Sequence, residues 1–592
     1  MHVLGISCHY HDAAAALVSD GLLVAAADEE RFSRVKHDAR FPRNAIEFCL
    51  RRAGLEAGDL DFVVFYEKPL LKFERILLTS LRTFPRSWRS FGEFALGWME
   101  EKLWVRAEIQ EALGIPAERI LFTEHHVAHA ASAFFCSPFR RAAILTVDGV
   151  GEWTTTAQGT GTADWDGGGA SEIRLDREAR FPHSLGLLYS AFTAFLGFEV
   201  NEGEYKVMGM AAYGEPRLEH LVRKVVRVED DGGFALDLRY FDFPHSADRT
   251  FSRAFEGLFG PARDPAAPFF TAATHPGQRL DAAAAARNQH YADVAASIQR
   301  VTEDALLKTV RDLHRRTGLT QLCMAGGVAL NAVANGRILR ESPFEEVYVQ
   351  PAAGDAGGAV GAALYAYHVL LGQPRRYVME HAYLGEAYGD GEAVDAFRAA
   401  GLKPRVVDDG VLTDEVAESL AAGQVVGWAQ GRFEWGPRAL GNRSILADPR
   451  TAAMKEVVNE RIKFREPFRP FAPAVPEELA SEMFHMPDPA RCWPARFMLA
   501  VMPWKPEAAE RAPAVSHGGT GRLQTVRAEW NPRFHAVLDR FGQATGVPVL
   551  MNTSFNLRGE PIVSSPADAL STFARSGLDL LAFGNVLVRK DG

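Results

Sequence analysis

His125 and His129 stand four residues apart in Glu124-His-His-Val-Ala-His-Ala-Ala-Ser-Ala133, a small-residue run that predicts a helix. A spacing of four puts both imidazoles on one helix face, where they can reach one ion. A zinc protease needs a glutamate directly after the first histidine, and His126 occupies that position. Two carboxylates have settings suited to the same ion. Asp148 ends the apolar run Ala142–Val147 just before Gly149, and Asp355 lies among small residues between Gln350 and Gly361, ahead of a helix predicted over 359–370. Two imidazoles and two carboxylates form a mixed nitrogen and oxygen set for iron, manganese or zinc, with positions open to a ligand.

Gly326 and Gly327 directly follow the apolar strand that ends at Met324, and Asn331 closes that segment as a hydrogen-bonding group for a nucleotide sugar or phosphate. The chain has no G-x-x-x-x-G-K-[ST] run, so a nucleotide site here is not a P-loop. The glycines recur instead in the manner of a duplicated actin-like ATPase fold.

The elements that must hold these residues are legible in outline. Two apolar runs, Ala13–Val18 and Leu22–Ala27, flank Asp20-Gly21, a strong hairpin signal because both turn positions tolerate positive φ. A second pass of this kind runs through Ala142–Val147, Asp148-Gly149 and the threonine-rich strand Trp153–Gln158, which predicts an internal repeat. Aromatics from Phe73 to Trp104, including Phe84, Trp88, Phe91, Phe94 and Trp98, fall at helical spacings and predict packed helices. A long helix is predicted over 288–317 with Gly318 as its cap. Leu371-Gly-Gln-Pro-Arg-Arg376 interrupts the pattern and marks a boundary between domains 1–372 and 380–592, the second alternating helices and strands as a mixed α/β domain.

A chain of 592 residues exceeds one hydrophobic core, so two domains are expected, and 47% hydrophobic with 24% charged residues is an ordinary globular composition. The net charge of −10 argues against nucleic acid or an anionic membrane as partner. Cysteines 8, 49, 136, 323 and 492 are scattered without a C-x-x-C pair, as in a reducing compartment. No apolar stretch approaches the roughly 20 residues that span a bilayer, so a cytoplasmic location is expected.

GISCHYHDAAAALVSDG, DEERFSRVKHD, HHVAHA, NEGEYKVMGMAAYG and GGVALN, with GRFEWGPRALGNRSILADPR, KFREPFRPFAP and MNTSFNLRGEPIV later in the chain, together resemble the NodU/CmcH family of carbamoyltransferases, which act on nodulation factors and antibiotics. The resemblance implies an actin-like (ASKHA) N-terminal domain followed by a domain like threonylcarbamoyl-AMP synthase (YrdC-like). It implies Fe(II), or another divalent metal, on His125, His129, Asp148 and Asp355, the four positions that spacing and context select. It also implies ATP, with magnesium, and carbamoyl phosphate as co-substrates, a small-molecule hydroxyl acceptor and a homodimer. Many members have His-x-Asp near the first hairpin; this chain reads His9-Tyr10-His11-Asp12, and His11 is the favoured base for the acceptor hydroxyl.

In the second domain Lys463, Arg465 and Arg469 interleave with Phe464, Phe468 and Phe471, while Pro467 and Pro470 predict a shaped loop rather than a helix. Joining ATP to carbamoyl phosphate brings two anions together, and fixed cations must offset their repulsion. Arg438, Lys463, Arg469 and Arg522 are the candidates, with Asn552 and Ser554 as amide and hydroxyl donors. Ser554 lacks a Gly-x-Ser-x-Gly context, so binding is expected of it rather than nucleophilic attack. A tRNA-modifying threonylcarbamoyl fusion and an actin-type scaffold are the competing readings. Acidic charge disfavours the first, and the arginine-rich blocks are left unexplained by the second.

Overall fold

The computed structural model describes residues 1–92, 98, 102–246, 248–275, 277–466 and 468–590; Phe94 and Pro467 lie outside them. Chain contacts group into two compact units. The first comprises Met1–His9, Ala16–Leu23 and Gly54–Val378, and the second Tyr10–Ala15, Val24–Ala53 and Met379–Gly592. The second unit therefore includes two pieces of the N-terminal region as well as everything after Met379.

Strands β1 (His2–Ser7), β2 (Ala14–Ser19), β3 (Leu22–Asp28), β4 (Phe62–Phe65) and β5 (Ile120–Phe122) take the sheet order β3-β2-β1-β4-β5. Strands β6 (Arg141–Val147), β7 (Thr154–Thr162) and β8 (Glu172–Arg180) are followed by a separate antiparallel pair, β9 (Val226–Val228) with β10 (Phe234–Leu236). Then β11 (Gln321–Ala325) and β12 (Glu346–Val349) complete a sheet of order β12-β11-β6-β7-β8. Counted along the chain, each sheet reads third, second, first, fourth, fifth. The two sheets repeat one topology, the duplication that the two Asp-Gly passes predict. Asp20 at φ 48° and Gly21 at φ 84° supply the two left-handed positions of the first turn.

Helices pack on these sheets through small residues. The helix His125–Phe134 and the helix Gly357–Tyr365 touch backbone to backbone: a Cβ on Gly361 would lie 1.8 Å from the Ala128 carbonyl oxygen. On its other side the second helix meets β1, where a Cβ on Gly5 would lie 1.8 Å from the Ala359 carbonyl. The long helix Ala282–Thr317 starts at an N-cap, Asp281, whose side chain accepts from the Ala284 amide at 2.9 Å, and ends at Gly318 with φ 64°. It begins six residues before its predicted start because alanines 282–286 carry no periodic apolar signal.

The second unit is built on strands β13 (Arg405–Val406), β14 (Val426–Ala429), β15 (Arg443–Ala447) and β16 (Ala472–Pro476). A separate pair, β17 (Val501–Pro503) and β18 (Thr520–Arg522), intervenes. Strands β19 (Gln524–Val526), β20 (Leu550–Ser554), β21 (Leu580–Phe583) and β22 (Val586–Arg589) complete an eight-stranded sheet of order β13-β22-β21-β14-β15-β20-β16-β19. Its pairings mix parallel and antiparallel, so the mixed α/β expectation holds. Trp428, Leu446, Phe534, Phe541 and Leu550 form the core between sheet and helices. Among the described residues no helix is long and apolar enough to cross a membrane.

Gly361→Val would drive a branched side chain into the Ala128 carbonyl. Its expected cost is about 3 kcal/mol, at the upper end of ordinary overpacking. Thermal unfolding followed by circular dichroism should give a clearly lower midpoint for the variant, and an unchanged midpoint would refute the backbone contact.

Candidate active site

The helix His125–Phe134 places His125 and His129 one turn apart, as their spacing requires, and both rings are almost wholly buried. Their Nε2 atoms face each other at 3.0 Å. Asp148, just past the end of β6, brings Oδ2 to 3.0 Å from His125 Nε2 and 3.8 Å from His129 Nε2. Asp355, two residues before the helix Gly357–Tyr365, brings Oδ1 to 3.6 Å and 3.5 Å from the same two nitrogens. The Gly361–Ala128 contact clamps the helix that carries the histidines to the helix that follows Asp355, and a Cβ on Gly186 would come within 2.6 Å of the Asp148 carbonyl. Sequence spacing selects these four residues, and the fold brings all four together.

Their donor atoms fit one metal ion. Two imidazole nitrogens and two carboxylate oxygens lie within 4.8 Å of one another. Burial opposes protonation of His125 and His129, yet the surrounding carboxylates outweigh it and raise the proton affinity of both. Burial likewise opposes charge on Asp148, and the two imidazoles overcome that and hold its carboxyl well below the ordinary range. Negative potential that draws a proton to this point draws a cation equally. His126 takes no part: its Nδ1 is 2.7 Å from Thr146 Oγ1, and burial pushes its pKa well below the ordinary imidazole value.

Three residues around the cluster escape sequence reasoning. Glu152 accepts the His125 amide at 3.0 Å and the Lys68 amide at 2.9 Å, a cap for the helix N-terminus that comes from a different element. Glu67 lies 3.8 Å from His125 Nδ1 and pairs with Lys72 at 2.7 Å, all buried. Burial works against its charge, but Lys72 and His125 bring its pKa down to about 2. Glu67 lies two residues past the end of β4 and Lys72 on the following helix, five positions on, so only their common burial marks them.

Gly326, with φ 92°, leaves no room for a side chain, since a Cβ would sit 2.2 Å from the Val147 carbonyl oxygen. The Gly327 amide donates to Asp148 Oδ1 at 2.8 Å, which ties the glycine turn to a metal-site carboxylate. Asn331 caps the helix Ala332–Glu341 by accepting from the Ala334 amide at 3.1 Å, and its amide donates to Gln299 Oε1 at 3.0 Å.

In the second unit Lys463 is buried, its ammonium donating to the Ser554 carbonyl at 2.8 Å, Ser554 Oγ at 3.2 Å and Asn556 Oδ1 at 2.7 Å. Burial first, then the charges of Arg465, Arg469 and Lys36, push its pKa well below the ordinary lysine value. Asn552 and Ser554 project from one face of β20. The Asn552 amide donates to Gln524 Oε1 at 2.7 Å and to the Ala439 carbonyl at 3.4 Å, while its own carbonyl oxygen is buried without a protein partner. One strand thus meets the Lys463 segment at Ser554 and the Trp435–Leu440 loop at Asn552. That loop carries Arg438 and is held rigidly: Glu434 Oε1 accepts the amides of Leu440, Asn442 and Arg443 at 2.7, 2.7 and 3.0 Å, and buried Arg31 donates to the Gly436 carbonyl at 2.9 Å. Arg522 ends β18, two residues before Gln524, and Arg469 faces Glu466 at 3.7 Å.

Residues 2–364 match the model of the carbamoyltransferase N-terminus, and residues 417–590 that of the carbamoyltransferase C-terminus. The chain belongs to the carbamoyltransferase family. It is 44% identical to an uncharacterized protein of Synechocystis sp. over all of this chain and 97% of that one. It is 38% identical to nodulation protein NolNO of Sinorhizobium fredii, over 98% of this chain and 79% of the relative. With 3'-hydroxymethylcephem-O-carbamoyltransferase of Amycolatopsis lactamdurans the identity is 35%, over 45% of this chain and 48% of the relative. This carbamoyltransferase is an enzyme that transfers carbamoyl groups, and both halves of its chain carry the family's signature.

His129→Ala should reduce bound transition metal at least about tenfold, whereas His126→Ala, whose ring faces Thr146, should retain it. Elemental analysis of the purified proteins checks both, and equal loss in the two variants would refute the ligand assignment.

Proposed function

We propose that this carbamoyltransferase joins carbamoyl phosphate and ATP into carbamoyl-AMP in its C-terminal part. The carbamoyl group then passes to a hydroxyl of a small-molecule acceptor in its N-terminal part. In this reading the N-terminal part is an actin-like (ASKHA) domain and the C-terminal part a YrdC-like domain. The observation that carries the reading is the buried convergence of His125, His129, Asp148 and Asp355 in a chain whose second unit holds a separate polar cluster around Lys463 and Ser554. Two sites of different chemistry suit a reaction of two stages. The name of the cephem relative, an O-carbamoyltransferase, supports a hydroxyl acceptor.

In the first stage Lys463, Arg469, Arg438 and Arg522 offset the charge of the two phosphate-bearing substrates, and Ser554 and Asn552 orient them by hydrogen bonds. Water cleaves carbamoyl phosphate to carbamate and inorganic phosphate; a carbamate oxygen then bonds to the α-phosphorus of ATP, pyrophosphate leaves, and carbamoyl-AMP is the mixed anhydride formed. In the second stage His11 accepts the proton of the acceptor hydroxyl as its oxygen bonds to the carbamoyl carbon. The bond from that carbon to the AMP oxygen breaks, and AMP leaves as an anion. His125, His129, Asp148 and Asp355 would hold a divalent metal, Fe(II) by resemblance, which would supply Lewis-acid polarisation of a bound oxygen. Gly326, Gly327 and Asn331 line the nucleotide end of this stage, and burial of the ligand set limits loss of the anhydride to water. The acceptor is a small molecule, with neither nucleic acid nor membrane involved, in a cytoplasmic homodimer.

ATP and carbamoyl phosphate supplied without acceptor should yield pyrophosphate and carbamoyl-AMP, read by coupled assay and mass spectrometry. Lys463→Ala should abolish both, while His125→Ala should spare them and suppress transfer to a hydroxyl. The reverse pattern would overturn the division of labour, and no adenylate from the wild-type enzyme would overturn the mechanism.

A further inference from the structure

Asp12 stands between two histidines. Its Oδ2 is 3.0 Å from His11 Nδ1, and its Oδ1 is 2.7 Å from His37 Nδ1. All three side chains are half-buried, with 23%, 31% and 34% of the surface of His11, Asp12 and His37 exposed. The backbone is bent to achieve this. Asp12 at φ 51° and His37 at φ 54° both occupy the left-handed region, which costs a non-glycine residue about 1 kcal/mol or more and persists only where the surroundings impose it. Those surroundings are on hand: the Ala13 amide donates to the Asp38 carbonyl at 2.7 Å, and the His37 amide donates to Glu30 Oε2 at 2.9 Å. Two strained residues, one on each tied segment, are thus aimed at one contact.

We infer that His37 is a positioning residue for the transfer reaction: by donating Nδ1–H to Asp12 it fixes the carboxylate whose other oxygen holds the Nδ1–H of His11. This rests on the proposed role of His11 as the base. A carboxylate on Nδ1 sets the imidazole tautomer that has its lone pair on Nε2 and stabilises the imidazolium formed when that nitrogen takes a proton. A carboxylate free to rotate would do neither reliably. With both oxygens engaged by rings on different segments, Asp12 has one orientation.

The electrostatics agree with the geometry. Partial burial opposes charge on Asp12, but hydrogen bonds from His11 and His37 outweigh it and hold the carboxyl well below its ordinary range. The hydrogen bond to Asp12 raises the pKa of His37 against burial, helped by the charges of Asp12 and Glu30 and resisted by Lys36. Asp28, another acidic neighbour of Asp12, is buried with its pKa raised to about 7 by desolvation. In the transfer step the proton leaves the acceptor oxygen for His11 Nε2, the new oxygen–carbon bond forms and AMP departs; His37 exchanges no proton.

The test compares His37→Phe, which keeps a ring and loses the donor, with His37→Asn, whose Nδ2 replaces the Nδ1 donor and whose backbone tolerates positive φ. Transfer from pre-formed carbamoyl-AMP should fall at least about tenfold in kcat for His37→Phe, with the acceptor KM within about twofold, and His37→Asn should recover most of it. The acid limb of kcat/KM should move to lower pH in His37→Phe, because a base that loses an oriented carboxylate holds its proton less tightly. A second measurement needs no turnover. The pH dependence of His11 modification by diethyl pyrocarbonate, read by peptide mapping, should show the same downward shift in His37→Phe and not in His37→Asn. Equal pH profiles in all three proteins, or equal defects in the two variants, would overturn the inference. If wild-type enzyme fails to transfer from carbamoyl-AMP while the modification profile shifts as expected, the transfer mechanism falls and the positioning contact stands. If His37→Phe does not fold, the pH profile of His37→Asn against wild type decides, since retention of the acid limb is expected of it and its loss would refute the role.

Discussion

The geometry of the His125, His129, Asp148 and Asp355 cluster depends on backbones packed in contact. Gly361 against Ala128 and Gly5 against Ala359 leave no space for a methyl group, so the helix carrying the histidines, the helix that follows Asp355 and the first strand form one block. Four buried ionisable groups must be held at fixed separations to act as ligands rather than as a source of repulsion, and side-chain packing alone leaves play of a fraction of an ångström. Glycine and alanine remove that play. The small residues of these segments are thus a requirement of this packing, because larger side chains would separate Asp355 from the imidazole pair.

Around that block, buried charge is met by backbone and by other charge. Glu152 caps the helix N-terminus that begins at His125, and Glu67 is neutralised by Lys72 in the layer behind it. In the second unit the same economy recurs with opposite sign. The Arg443 guanidinium donates to the carbonyls of Ser564, Gln430 and Asn442, Arg31 to those of Glu434 and Gly436, and Lys463 to those of Ser554 and Asn556. Each cation therefore fixes a loop as well as contributing charge, as buried polar groups must be paired to be tolerated. Loops held this way need little reorganisation when a ligand arrives, which is the condition for electrostatic stabilisation of a reacting group.

Much of this was legible in particular residues. The four-residue spacing of His125 and His129, the strand-end position of Asp148 and the glycine-rich setting of Asp355 marked four residues that the fold brings together, because helix period and strand termini are local properties. Asp20-Gly21 fixed a hairpin, and Gly318 fixed the end of a helix, through backbone conformations that few other residues adopt. The Trp435–Leu440 loop that carries Arg438 is rigidified by the Glu434 carboxylate, which carried no signal of its own.

What only the tertiary structure decided involves partners far apart along the chain. Glu152 meets His125 across 27 residues, Gln524 meets Asn552 across 28, and Lys463 meets Ser554 across 91. None of these separations has a period that a sequence can display, since the chain between them is free to vary in length. Asn331 illustrates the difference: its type and place suggested a nucleotide contact, and the fold adds a helix cap and a link to Gln299. The sequence by itself determined the residue types of the buried cluster, the turns and the duplicated strand pattern, because each depends on neighbours within a few residues. The pairing of Asp12 with His37, the burial of Glu67 and the grouping of the N-terminal segments Tyr10–Ala15 and Val24–Ala53 with the second unit depended on how distant segments fold onto one another.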